Sequence, residues 1–282
     1  MTNSSDLDII VKKIAAELKK DELCIPSMPE LVLKLSSQVN NTCLSVKDLA
    51  NLISSDTSVS SQVVRLSQTL RYSNPGTTVT TLPNAISRIG LSSSTSIALA
   101  LAIEQNFEFK NSYLSDYSKK QFLLSRKLCK LALQMCTIKY IKIQPLIIDY
   151  IILASALLNI GVLPFIGELD IFYRNHHDLH ENDYAEIERY INKIKLPLGI
   201  AILRHWKFDK SFEQVITLEI DMANEFYTNS FAYAQSFIEY AKEQDISIDQ
   251  PIDFLSSITI DKNDSILVNI ENWMKNNNFL PS

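Results

Sequence analysis

The stretch Leu44-Ser45-Val46-Lys47-Asp48-Leu49-Ala50-Asn51-Leu52-Ile53-Ser54-Ser55-Asp56, followed by Val59, Val63, Leu66 and Leu70 at i, i+4, i+7 and i+11, decides the fold class. Ser45 stands where a helix N-cap belongs, and Asp48 three positions on can return the hydrogen bond. Asp56, after a break at Ser54 to Ser58, is placed to cap a second helix whose apolar residues fall on one face. Working outward, the same period recurs at Ile10, Ile14 and Leu18, and at Leu31, Leu35 and Val39 after Pro26 and Pro29. It returns at Tyr117, Leu124, Leu128, Leu131 and Met135, at Tyr227, Phe231, Ala234, Ile238 and Ala241, and at Ile266, Ile270 and Trp273. Alternating strands joined by hairpin turns are missing, so the sequence predicts an all-α fold.

Composition narrows the function. The chain has 282 residues, 46% hydrophobic and 21% charged, which suits one large or two ordinary packed domains and not a disordered chain. With 27 basic and 32 acidic residues the net charge is −5, which argues against a protein that coats polyanions. The five glycines form no G-x-G pair, excluding the glycine-rich phosphate loops of nucleotide enzymes. Cys24, Cys43, Cys129 and Cys136 show no zinc spacing and read as reduced thiols. Residues Met1 to Lys20 lack the apolar run of a secretory leader, so a cytoplasmic location is expected. Pro145 to Ile166 is the most apolar segment, but Asp149, Asn159, Gly161 and Pro164 crowd it, and a core helix is expected there, not a membrane span.

Charge is distributed unevenly. From Thr57 to Ile103, 47 residues carry only Arg65, Arg71 and Arg88 as charges, with 17 Ser or Thr. Such a stretch is expected to be buried between subdomains or to form an uncharged partner face. A boundary is expected near Asn106 to Asp116, dividing 1–110 from 111–282. Helices 46–53 and 59–70 have the dimensions of a helix-turn-helix, but Gln62, Arg65 and Gln68 would lack basic support, so nucleic acid is disfavoured. His176-His177-Asp178-Leu179-His180 invites a metal, yet no third ligand is identifiable, and a solvated loop is the simpler reading. His205 beside Trp206 reads as a residue packed at a helix end. No triad pattern nominates a catalytic residue, and the carboxylate pairs Glu181/Asp183 and Asp245/Asp249 read as surface.

The order of these features resembles a known family. Ile25-Pro26-Ser27-Met28-Pro29-Glu30, the Leu44 to Ile53 stretch, Ser55-Asp56, Val64-Arg65-Leu66, Ala85-Ile86-Ser87-Arg88-Ile89-Gly90-Leu91 and Ile97 to Ala102 together look like the start of an HDOD domain, the HD-related output domain of bacterial signalling proteins. In the second half, Ala156-Leu157-Leu158-Asn159-Ile160-Gly161 resembles a segment that often reads L-L-H-N-I-G. Leu198-Gly199 with Trp206 resembles a later G-x-x-L-L-x-x-W. The resemblance implies an N-terminal helical subdomain (1–110) joined to a degenerate HD-like helical subdomain (111–282).

Departures from the pattern carry the functional expectation. In HD phosphohydrolases an adjacent His and Asp help to hold a metal that activates water. Here those positions look like Leu158 and Asn159, and a histidine expected before Gly199 is replaced within Lys195-Leu196-Pro197. Leucine has no lone pair, and an amide is a poor substitute for a bridging carboxylate. The expectation is a non-catalytic bacterial signalling or regulatory protein without metal or cofactor, in two-component or cyclic di-GMP pathways, whose partner is a separate signalling protein. The alternatives are a metal-dependent phosphohydrolase acting on nucleotides or cyclic dinucleotides, and a DNA-binding regulator. The family's Asn-Ser after the Leu-rich helix is Gln68-Thr69 here. Contacts to a partner or to a small anionic ligand are expected at Arg65, Gln68, Thr69, Arg71 and Arg88.

Overall fold

The computed structural model describes residues 4–19, 30–39, 41, 43–69, 72, 79–105, 109–140, 145–176, 181–221, 225–248 and 266–279. Among the described residues there are thirteen helices and no strand. The first six are α1 (Ser4–Lys19), α2 (Glu30–Ser36), α3 (Val46–Ile53), α4 (Thr57–Ser67), α5 (Leu82–Ile89) and α6 (Leu91–Gln105). The remainder are α7 (Ser112–Lys139), α8 (Pro145–Leu157), α9 (Leu163–His176), α10 (Glu181–His205), α11 (Lys210–Thr217), α12 (Phe226–Glu243) and α13 (Leu267–Asn276).

The deciding stretch folds as its residues dictate. Ser45 accepts from the Asp48 backbone N–H at 3.2 Å while Asp48 accepts from the Ser45 N–H, a complete capping box for α3. Asp56 accepts from the N–H groups of Ser58 and Val59, and α4 therefore starts at Thr57, two residues before the first apolar position. Between α5 and α6 the axis turns by 114°, and Gly90 at φ 98° makes that turn in backbone space closed to side-chain-bearing residues.

Helix α6 is the hub. It is buried from Ser93 to Ile103 and packs against α2, α3, α4 and α5 on one side and α8 on the other. The low charge of the long segment is thus explained at α6 by burial on every face. Helix α8 packs closely on it, and the Ser93 hydroxyl donates to the buried Asp149 carboxylate of α8. Around α8 lies the second group, α7 with α9, α12 and α13, and α11 against α8, α10 and α12. No single described helix is long and apolar enough to cross a membrane.

Two buried acids anchor the chain near the boundary expected from the sequence. Glu104 at the end of α6 accepts both the Nε (3.1 Å) and an Nη (2.8 Å) of Arg126 on α7. Burial raises the Glu104 pKa, and the adjacent guanidinium opposes that rise. Asp170 of α9 accepts from the backbone N–H groups of Lys110 (3.3 Å) and Asn111 (2.9 Å) and from Arg174. Helix α1 crosses the boundary in the other direction and packs on α9 and α10, with Lys13 paired to the buried Glu168 at 2.6 Å.

Candidate functional site

A pocket of about 220 Å³ opens beside the Leu158–Asn159 doublet. Four elements build it. Helix α7 supplies Gln121, Leu124, Ser125 and Leu128; the end of α8 supplies Leu158 and Asn159; α10 supplies Lys195 and Leu196; the end of α11 supplies Ile216, Thr217 and Leu218. Two departures that the sequence places far apart, the doublet and the Lys195-Leu196-Pro197 segment, therefore face one space. Leu124, which its helical period assigned to the common core, is instead 42% exposed at the rim, because the pocket interrupts the packing around α7.

Asn159 organises the wall. Its amide nitrogen donates to the Gln121 main-chain carbonyl at 2.9 Å and to the Ser125 hydroxyl at 2.6 Å, fastening the end of α8 to α7. A carbonyl can only accept, so the amide orientation is set by chemistry. An aspartate here would turn an acceptor toward that carbonyl. Position 159 thus makes, through its amide, bonds that a carboxylate could not donate. Ser125 is 1% exposed, and its oxygen accepts from Asn159.

Close backbone approach fixes the other wall. A Cβ on Gly161, in the turn after α8, would lie 2.0 Å from the Lys195 carbonyl oxygen and 2.5 Å from the Gly199 nitrogen of α10. That contact holds Lys195 and Leu196 against the doublet and explains why glycine occupies position 161. Helix α11 is held by three ties. Asp209 caps it through the Ser211 N–H at 2.8 Å, and the hydrogen bonds from Ser211 keep the Asp209 pKa low. Arg204 of α10 makes a two-toothed bond to Glu213, at 3.0 and 2.7 Å, which lowers the Glu213 pKa. Tyr150 of α8 donates to the Ser211 carbonyl at 3.1 Å, and burial raises its pKa.

The donor set does not suit the divalent metal of an HD site. The pocket offers two amides, two hydroxyls, a lysine and aliphatic side chains where such an ion needs imidazoles and carboxylates. Among the described residues no three His, Cys, Asp or Glu side chains come together. Of the histidine run, 177–180 lie outside the described residues; His176 ends α9 and α10 begins at Glu181. Asp183 departs from its expected surface position and is buried. Asp245 is exposed, and Asp249 lies outside the described residues. His205 closes α10, as its sequence position suggested.

The residues expected to contact a partner sit elsewhere, at the ends of α4 and α5. Gln68 donates to the Val79 carbonyl at 2.7 Å, Thr69 to the Leu66 carbonyl at 2.7 Å, and Arg88 reaches the Ser67 carbonyl at 3.5 Å. Arg65 is exposed on the last turn of α4. Arg71 lies outside the described residues, as do Leu70, Cys24 and the 25–29 segment. The outer face of α4 shows Thr57, Ser58, Ser61, Arg65 and Gln68, one cation among hydroxyls and an amide, little for a DNA backbone. Sequence reasoning missed Gln121, Ser125 and Thr217; the i, i+4 spacing of Gln121 and Ser125 on α7 was legible only as helix, since the facing Asn159 is 34 positions away from Ser125.

The model of the HDOD domain matches residues 25–221, which contain the pocket entire, so the chain belongs to the HDOD family. Among solved structures, it is similar to a protein from Shewanella amazonensis SB2B provisionally named a metal-dependent phosphohydrolase, at 19% identity and TM-score 0.62 over 96% of this chain and 90% of that one. It is also similar to an HDOD domain protein of unknown function from Geobacter sulfurreducens, at 13% identity and TM-score 0.50 over 95% and 96%. A third, from Marinobacter aquaeolei VT8 and provisionally named a signal transduction protein, gives 13% identity and TM-score 0.51 over 98% of this chain and 64% of that one. At such identities the likeness is one of fold. No curated protein matches the chain.

Proposed function

We propose that this HDOD protein is a non-catalytic bacterial signalling or regulatory module that acts in the cytoplasm by binding, with a signalling protein as partner and the pocket at Leu158–Asn159 as its ligand-responsive centre. The observation that supports this reading is the use made of Asn159. Both of its amide hydrogens are engaged by α7, so the residue at the metal-bridging position serves as a clamp between two helices. Hydrolysis of a phosphoester by the HD route needs a metal-activated water, and Leu158, Asn159, Lys195 and Leu196 offer no anionic or imidazole ligand for that ion. A site of this kind can still report on its occupant, because four helices meet at it and one of them, α8, packs directly on the hub α6.

The test is metal analysis of the purified full chain, then an assay of bis-p-nitrophenyl phosphate and cyclic dinucleotides with added manganese. The expected outcome is substoichiometric metal and no turnover. Stoichiometric bound metal together with phosphodiester turnover would overturn the reading. The Leu158→His/Asn159→Asp double variant is expected to gain neither, since restoring two ligands also breaks the clamp.

A further inference from the structure

The pocket's size, wall and mouth each constrain what enters it. A dry cavity of roughly 150 Å³ accommodates benzene, so 220 Å³ admits roughly nine non-hydrogen atoms. Nucleotides and cyclic dinucleotides are too large to be enclosed. Most of the lining is aliphatic, which favours an alkyl group. Set into that lining is the buried Ser125 hydroxyl: its oxygen accepts from Asn159, and it donates to no described residue. Lys195 also lines the pocket; it is exposed and has no ion-pair partner among the described residues. A cation and a hydroxyl donor beside an aliphatic wall are complementary to one carboxylate on a short hydrocarbon.

We propose that this pocket binds a short-chain organic monocarboxylate, its hydrocarbon against Leu128, Leu158, Leu196 and Ile216 and its carboxylate at Lys195 and the Ser125 hydroxyl. The proposal rests on the reading of the site as a binding centre and names the class of ligand that it takes. Lysine at position 195 stands in the segment where the family's pattern has a histidine, so the same replacement that removes a metal ligand supplies the charge for an organic anion. Occupancy would brace α7, α8, α10 and α11 against one another, and α8 would pass the change to α6.

Hexanoate is the probe, titrated into isotopically labelled full-length protein and followed by amide chemical shifts. The expected result is saturable shifts confined to residues around Ser125, Asn159, Lys195 and Thr217, with a dissociation constant on the order of 0.1–1 mM. Lys195→Met, at an exposed position, is expected to weaken hexanoate about tenfold while leaving hexan-1-ol unchanged. Leu124→Trp, at the exposed rim, is expected to block both. The proposal fails if hexanoate gives no saturable shift at ~10 mM, if Lys195→Met binds it as tightly as the parent, or if inorganic phosphate produces the same shifts with the same strength. These outcomes are separable from the metal and turnover assays. A chain that hydrolyses phosphodiesters yet binds hexanoate refutes only the non-catalytic reading; an inert chain indifferent to hexanoate refutes only this one.

Discussion

The ends of α4 and α5 and the pocket beside Asn159 are both rich in polar side chains, yet they use them in opposite ways. At the first, Thr69 bonds back to Leu66, Gln68 closes on Val79 eleven positions away, and Arg88 approaches the last carbonyls of α4. These bonds finish a helix and fasten the chain that follows it. At the second, Asn159 reaches across 38 positions to Gln121, and Gly161 meets Lys195 across α10. Polar groups spent locally leave little for a ligand, whereas groups that join distant helices around an open space create one.

The contrast is most strongly tested at Gly161. A methyl group there would lie 2.0 Å from the Lys195 carbonyl, and backbone, not a flexible side-chain tip, would have to move. Gly161→Ala is expected to cost about 3 kcal/mol or more, read as a lowered urea midpoint with an unchanged slope. Gly199→Ala serves as the comparison, since its Cβ would crowd the Ile216 Cδ1 at 3.1 Å, a side-chain tip, and meet the Gly161 backbone at an ordinary 3.7 Å. Equal losses at the two positions would mean that the close approach of the α8–α9 turn to α10 is not what shapes the pocket.

Asn159→Asp comes next. It replaces two donated bonds with an acceptor facing the Gln121 carbonyl, at an expected cost of about 2–3 kcal/mol near neutrality. The introduced carboxyl is expected to have its folded pKa raised above the unfolded value, as its charged form is the one opposed. The ionisation part of the penalty is therefore absent below the unfolded pKa, grows as pH rises from the unfolded to the folded value, and is complete above the folded one. Urea unfolding at pH 4 and pH 7.5 checks the sign: a variant that is relatively more stable at the higher pH would place a cation, and not a carbonyl, beside position 159.

At the other region the effects are smaller. Gln68→Ala removes one bond to the Val79 carbonyl and is expected to cost about 1 kcal/mol, with no effect on hexanoate binding. If this substitution changes ligand affinity at the pocket, the two regions are coupled and their separation into structural and responsive parts is wrong.

How much of this was legible in advance differs between the regions for a physical reason. The capping box at Ser45, the Asp56 cap and the apolar faces of α3 and α4 are set by residues a few positions apart, and sequence spacing alone predicts them. The burial of α6 was one of the two outcomes that its missing charges allowed. Leu158 and Asn159 could be singled out, but their surroundings could not. Gln121 and Ser125 acquire meaning only when α7 is laid against α8, and Leu124 reads as core until the pocket exposes it. Asp183 looked solvated because its neighbours are polar, yet it is buried in the packed α10. Periodicity reports which face a helix hides, not which partner it meets.

The smallest expected effect is at Arg65, and it decides what the first region is for. Arg65 is exposed and lies in the last turn of α4, where a cation interacts favourably with the helix end. Arg65→Ala is therefore expected to change stability by no more than about 0.5 kcal/mol. A near-silent effect on folding makes the variant a clean probe of binding, because any loss of a co-purifying protein then reports contact and not unfolding. Pull-down of the full chain with Arg65→Ala, beside Lys195→Met, separates the two regions. Loss of partner with the first alone would place protein recognition at the end of α4. Retention with both would remove the arginine face as the docking surface.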